Sequence, residues 1–318
     1  MNSRIYDVII IGSGPAGLAC AISLSQNGYS CLLIEKNIRL QGKVCGDALT
    51  TSALVLLEHI GIDIATVEGK KVYSKKEYKN GVCRERTFFE LFGREFEYGV
   101  SHDDMLNCML NNALKNGVEI VYNHECNRIL RQPDCYCIDN LYFSKEVVLA
   151  NGAHGLSLIG ETIPNDLPVG MSARIHGKCN YSDIAFHFFY DDCYEGGYAW
   201  LFPIGNELWN IGVYGCSGKN LKQLYYKFER TIFDNSDNYV YLRKPKGAVV
   251  GATKAATKSE YMYLLAGDCA FSANYETGEG ISFAIRDGIN VANTILCNDI
   301  DILLNREYGV ASYTSTRK

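Results

Sequence analysis

Near its start the chain carries a β-branched, apolar run, Tyr6 to Ile11, interrupted only by Asp7. Such a run predicts a strand buried on both sides. Gly12-Ser13-Gly14-Pro15-Ala16-Gly17 follows at once, and Leu18 to Asn27 then carries a helical pattern closed by Gly28. Ser30 to Ile34 reads as a second strand that ends at Glu35, which completes a βαβ opening. Thr50 to His59 predicts a further helix, stopped before Gly61. From Val67 to Tyr98 the pattern changes. Charged and aromatic residues alternate, as in Thr87-Phe88-Phe89-Glu90-Leu91-Phe92, and no helical period persists, which predicts strands of a separate antiparallel sheet. Ser101 to Asn116 reads as a helix with Ser101 and Asp104 in capping-box positions and Gly117 as its stop. Val118 to Tyr122 and Val147 to Ala150 read as short strands. Residues 165–258 are strand-rich in Tyr, Phe and Gly. Tyr261 to Ala266 reads as a last core strand, Gly280 to Leu296 as a helix, and the residues past Arg306 as a polar tail. The order α/β, β, α/β, β, α/β predicts two interleaved domains.

At 318 residues the chain can bury a large core. A net charge of −5 without a clustered basic face argues against nucleic acid as a partner. The early apolar stretch Val8 to Ile11 is too short for a signal-peptide core or a membrane span, so the expected location is cytoplasmic, without a transmembrane segment. The 13 cysteines form an odd set with irregular spacing and no CxxC pair. That fits reduced, mostly buried thiols and supports no metal site.

Two glycine motifs carry the candidate chemistry. In Gly12-x-Gly14-x-x-Gly17, between a strand and a helix, Gly12 permits a tight turn and Gly14 lets a pyrophosphate approach the backbone. Gly17 lets the helix pack on the strand, and the helix N-terminus faces the anion. Glu35, 18 residues beyond Gly17, is placed to accept the hydroxyl hydrogens of an adenosine ribose. Near the other end, Gly267-Asp268 closes a strand and Gly278-Glu279-Gly280-Ile281 opens a helix. Asp268 suits a ribityl hydroxyl, and the helix start offers N–H donors to the pyrimidine edge of a reduced flavin. The first motif alone leaves NAD and FAD open; the late Gly-Asp favours FAD. The expected fold class is therefore α/β. A Rossmann-like FAD-binding domain (residues 1–65, 98–165 and 259–318) is interleaved with a smaller, mostly antiparallel β-sheet domain for substrate (66–97 and 166–258).

A third stretch, Gly196-Gly197-Tyr198-Ala199-Trp200-Leu201-Phe202-Pro203, concentrates aromatic residues. On a strand Tyr198, Trp200 and Phe202 share one face, and Pro203 stiffens its end. They form either plain core or a flat apolar wall.

The order of these motifs resembles the geranylgeranyl reductase family, within the larger group of flavoproteins that includes the aromatic hydroxylases. Gly12, Gly14, Pro15, Ala16 and Gly17 with Glu35 and Lys36 are similar to its FAD fingerprint. Lys43-Val44-Cys45-Gly46 resembles its Lys-x-Cys-Gly segment, residues 198–203 its YxWxFP box, and Gly267-Asp268 through Gly278, Gly280 and Ile281 its second flavin motif. The resemblance implies that Tyr198, Trp200, Phe202 and Pro203 line a cavity over the flavin. It also implies that Cys45 lies close to it, able to touch substrate or give a proton, with Tyr198 and Trp200 as further candidates. Asp47 stands where glycine is usual, and reads as a solvated loop residue. His102 stands near a usual arginine, Asn151 for Asp and Tyr275 for Pro. The chain stops soon after its last helix, where relatives that reduce long polyprenyl lipids continue, which implies a smaller substrate or a more open cavity.

The function implied is an FAD-dependent oxidoreductase that reduces or dehydrogenates a carbon–carbon bond of an apolar, isoprenoid-type substrate by hydride transfer through flavin N5. NAD(P)H or a reduced carrier protein is the transient electron donor, since no second nucleotide fingerprint is present, and peripheral membrane contact is compatible with such a substrate. The alternatives are an FAD-dependent monooxygenase of an aromatic or apolar small molecule, and a non-catalytic flavin-binding relative.

Overall fold

The computed structural model describes residues 4–215, 220–233, 239–254 and 263–296. Tyr261, Met262 and the polar tail lie outside the described residues, which show two seven-stranded sheets and one of three strands. In the first large sheet the strand Ile5–Ile11 lies between Cys31–Ile34 and Tyr142–Leu149, parallel to both. Glu119–Val121 continues it on one side, and Leu264–Leu265 pairs in parallel with Val148 and Leu149. The apolar run that opens the chain is explained by burial on both faces. Val8 and Ile10 enter a core shared with the helices, and Ile9 and Ile11 enter a second core behind the sheet.

The helix Pro15–Ser25 has no polar face; Ala16 to Leu24 are all buried. It is covered by the helices His102–Lys115 and Ile281–Leu296. Gly288 makes the second crossing close, because a Cβ there would collide with the carbonyl oxygen of Ala16. The fold is thus the expected α/β, Rossmann-like arrangement.

The second large sheet runs Tyr239–Val249, Val169–Gly177, Leu208–Gly215, Tyr198–Gly205, Ala185–Phe189, Ser74–Lys79, Val82–Thr87, antiparallel except where Ala185–Phe189 meets Ser74–Lys79. Its strands alternate cleanly. Ala173, Ile175, Ala199, Leu201, Trp209, Ile211 and Val213 face a core roofed by a helix at Leu221–Ile232. Arg174, Tyr198, Trp200, Phe202, Asn210, Gly212 and Tyr214 take the opposite parity and face the first domain's side. A three-stranded sheet, Ala48–Leu49, Glu97–Gly99 and Lys70–Val72, bridges the two.

Three expectations need correction. Residues Phe88–Phe92 are a short helix and not a strand, because Thr87 and Glu90 form a reciprocal capping box that outweighs the alternation. The helix Leu221–Ile232 sits inside the stretch read as strand-rich, where no helix was expected. Its Leu221, Tyr225, Phe228 and Ile232 recur at helical spacing, but tyrosine and phenylalanine bias a reading towards strand. The strand ending at Leu149 begins at Tyr142, so it is longer than the apolar residues alone suggested.

Glu97 closes the bridge between sheets. Its carboxylate accepts from the backbone N and hydroxyl of Thr51, at the first turn of the helix Thr51–His59 (2.7 and 3.1 Å). Burial pushes its pKa up from 4.5 to about 7. The folded protein therefore holds this proton where the unfolded chain releases it, and stability falls as pH rises from about 4.5 to 7. Glu97→Gln keeps the acceptor and removes the titration. The variant is expected to gain on wild type by about 2–3 kcal/mol between pH 5 and pH 7.5 in urea unfolding. A difference that does not change with pH would refute this.

Candidate functional site

The turn Gly12-Ser13-Gly14 leads from the first strand into the helix that begins at Pro15. Gly12 adopts φ +103°, and a side chain there would strike the carbonyl of Ala150 on the neighbouring strand. Gly17 packs against the carbonyl of Gly12, whereas Gly14 faces open space. Glu35, buried at the end of the second strand, takes two protein donors on each carboxylate oxygen. Oε2 accepts from the backbone N and hydroxyl of Ser13, and Oε1 from the backbone N and side-chain amide of Asn37. A ligand hydroxyl at Glu35 would displace the rotatable Ser13 or Asn37 group.

Gly267 and Asp268 follow the strand Leu264–Leu265, and Asp268 forms an ion pair with Lys43, brought from the loop after the second strand. Gly280 accepts the backbone N–H of Ala284 and so heads the helix Ile281–Leu296. Because Gly288 draws this helix onto Pro15–Ser25, the two helix starts lie on one cavity. It measures about 600 Å³. Gly12, Gly14, Pro15, Ala16, Glu35 and Lys36 line it from one side and Gly267, Asp268, Gly278, Gly280 and Ile281 from the other. Lys43, Cys45, Gly46, Tyr198, Trp200 and Phe202 line it as well. Gly17 and Pro203 are outside the lining.

The aromatic residues lie as the strand period requires. Ring centroids are 5.9 Å apart between Tyr198 and Trp200 and 6.0 Å between Trp200 and Phe202. Gly212 on the adjacent strand leaves room for the indole; a Cβ there would overlap its six-membered ring. The Tyr198 hydroxyl donates to the Thr277 carbonyl (2.6 Å) and the Tyr214 hydroxyl to that of Tyr275 (2.5 Å). Tyr275, noted as a departure from proline, thus serves the site through its backbone.

The loop carrying Cys45 is fixed by a buried polar cluster that sequence reasoning missed. Asp47 is not solvated: its side chain is fully buried and paired with Arg174 Nε (2.6 Å) and Nη2 (3.0 Å). It also accepts from Asn210 Nδ2 (2.7 Å) and the backbone N of His102 (2.9 Å). Asp47 sits at φ +60°, a left-handed conformation that costs about 1–2 kcal/mol for a non-glycine residue. Burial, and then the Asp47 charge, push the Cys45 thiol up to about 11, so it stays protonated at neutral pH.

Two further lining residues have unsatisfied atoms. Both ring nitrogens of His102 and Oδ1 of Asn151 are buried without a hydrogen-bond partner. Burial holds His102 down at about 4, hence neutral. Orphaned polar atoms of this kind are costly unless a ligand completes them. Together with the open face of Gly14 and two helix N-termini, they suit a dinucleotide with an anionic diphosphate and an amide-bearing ring. Among the described residues no cluster of His, Cys, Asp or Glu could hold a metal ion, and no helix is long and apolar enough to cross a membrane.

The indole's fit can be checked through Gly212→Ala. With Met171 O and the Trp200 ring both in the way, the indole must move. The variant is expected to lose about 1–3 kcal/mol in urea unfolding; unchanged stability would mean that the ring is not held flat.

Residues 5–135 match the FAD binding domain family. The digeranylgeranylglycerophospholipid reductase 3 of Methanosphaera stadtmanae is 25% identical over 331 residues, covering 97% of this chain and 80% of that protein. The digeranylgeranylglycerophospholipid reductase of Methanosarcina acetivorans is 26% identical over 310 residues, covering 89% of this chain and 73% of that protein. Among solved structures, a geranylgeranyl bacteriochlorophyll reductase-like protein from Thermoplasma acidophilum superposes with a TM-score of 0.77 at 20% identity, over 92% of this chain and 78% of its own. The chain thus carries an FAD binding domain, and over most of its length it is similar to proteins named as reductases of geranylgeranyl lipids.

Proposed function

We propose that this enzyme reduces a carbon–carbon double bond in an apolar, isoprenoid-bearing substrate held against Tyr198, Trp200 and Phe202. The observation that supports it best is that the two glycine-headed helix starts and this aromatic face line one cavity. The proposed division of labour assigns residues 1–65, 98–165 and 259–318 to FAD and 66–97 and 166–258 to substrate. Gly12 to Ala16, Glu35 and Lys36 hold the nucleotide part, with Gly17 packing the helix on the strand. Lys43, Gly46, Asp268 and Gly278 to Ile281 hold the part nearer the ring. When bound, the flavin supplies the hydride.

The protein's own task is then to place the alkene, exclude water and supply a proton. The aromatic face does the first two. Tyr198 and Cys45 are both protonated at neutral pH, since burial raises each pKa. Tyr198 has its O–H committed to the Thr277 carbonyl. The Cys45 sulfur accepts the Asp47 N–H (3.3 Å), and among the described residues its S–H has no acceptor. Cys45 is therefore the proton donor: its thiol would protonate the alkene carbon next to the one that a bound flavin would reduce, and its thiolate would be reprotonated from solvent. Asp47 cannot serve, because Arg174 and Asn210 occupy its oxygens. NAD(P)H or a reduced carrier protein delivers the electrons transiently. The unbridged cysteines of the described residues suit a reducing, cytoplasmic setting, where a lipid substrate would be met at the membrane surface.

The test is anaerobic. The FAD-loaded protein, reduced with dithionite, is mixed with a geranylgeranyl lipid, and flavin reoxidation and product mass are followed. A gain of two hydrogens per double bond is expected. An oxygen-dependent product carrying a hydroxyl would overturn the reductase reading in favour of a monooxygenase. Cys45→Ala is expected to lower kcat about 100-fold with FAD content intact, and Tyr198→Phe less than about tenfold. The reverse order would move the proton donor to Tyr198.

A further inference from the structure

Asn210 stands where three parts of the chain meet. Its Oδ1 accepts the indole N–H of Trp200 (2.8 Å). Its Nδ2 donates to the Cys45 carbonyl and to Asp47 Oδ2, both at 2.7 Å. The amide's orientation follows from chemistry, because the indole can only donate while the carbonyl and the carboxylate can only accept. The residue is 1% exposed, so each of these bonds replaces one that water cannot supply.

Arg174 and Asn210 are cross-strand partners in the second sheet, and both reach Asp47. Two register positions away, on the same face, Ser172 pairs with Gly212 and adds a second donor to the Cys45 carbonyl (3.0 Å). The Asp47 backbone N–H in turn reaches the Cys45 sulfur. A loop in the first half of the chain is thereby fastened to the same residue that fixes the indole. Packing alone would not call for this: a leucine would fill the space without needing three partners.

We propose that Asn210 is a positioning residue that holds the Trp200 indole and the Cys45 segment in one shared arrangement, so that the apolar face and the thiol are aligned together. Asp47 and Arg174 set the frame on which it acts. Its bearing on catalysis rests on the proposed roles of Cys45 and Trp200; the mechanical part does not.

Two measurements separate these. In FAD-loaded protein with Trp209→Phe, Trp200 is the sole tryptophan of the chain's two. Asn210→Ala is expected to add a fast component to the decay of Trp200 fluorescence anisotropy, with FAD content unchanged. An indole as rigid as before would sink the proposal, whatever the substrate. In turnover with the geranylgeranyl lipid, Asn210→Ala is expected to lower kcat about 10- to 100-fold and to change KM less than about threefold. Combined with Trp200→Phe, it should cost no more than the worse single change, because the two act through one unit. Multiplicative effects, or a loss of thermal stability with kcat unchanged, would reduce Asn210 to a structural residue. If the alanine variant fails to fold, Asn210→Ser retains one hydroxyl in the pocket. It should give intermediate anisotropy and intermediate kcat; wild-type values for both would overturn the assignment. A loosened indole in a protein that never turns over the lipid would uphold the positioning role and defeat the substrate reading instead.

Discussion

The close crossing of two helices, Pro15–Ser25 and Ile281–Leu296, is the contact on which the rest depends. Gly288 lets the second helix settle on the carbonyl of Ala16. The two N-termini open on one cavity, and their partial positive charges add over a single volume. Elements more than 260 residues apart thus become one binding surface, which neither could form alone. The hydrophobic payment for this lies in the nearly all-buried first helix, whose small residues allow approach from two directions at once.

The second sheet contributes in a different way. One of its faces is a conventional core under the helix Leu221–Ile232. The other carries aromatic residues beside Arg174, Asn210 and Ser172, so that one surface is both apolar wall and hydrogen-bonding scaffold. Buried polar groups at this density are tolerable only when nearly every donor and acceptor is used. Asp47 meets that condition with four donors. Of the exceptions, His102 and Asn151 are found in the cavity lining, whereas Arg94 Nε and the Tyr225 hydroxyl lie outside it.

What could be read from the chain alone was local. Gly12 to Gly17 and Glu35 lie within two strands and one helix, and their spacing carries their geometry. Tyr198, Trp200 and Phe202 needed only the strand period. Asp47 could not be read, because its burial is decided by Arg174, 127 residues on, and Asn210, 163 residues on. A lone carboxylate after a loop glycine looks solvated until its partners are known. A signal did exist: Asn210 and Gly212 interrupt a strand whose alternate positions are Trp209, Ile211 and Val213, so a polar and an absent side chain fall on one face. The helix at Leu221–Ile232 was hidden by composition, since its aromatic residues suit strands equally well.

The tyrosine hydroxyls at 198 and 214 end on the carbonyls of Thr277 and Tyr275, in the turn that leads into the last helix. The strands that bear the wall and the turn before the last helix are therefore linked by two rigid aromatic struts. The two sides of the cavity are thus joined through side chains as well as through the backbone.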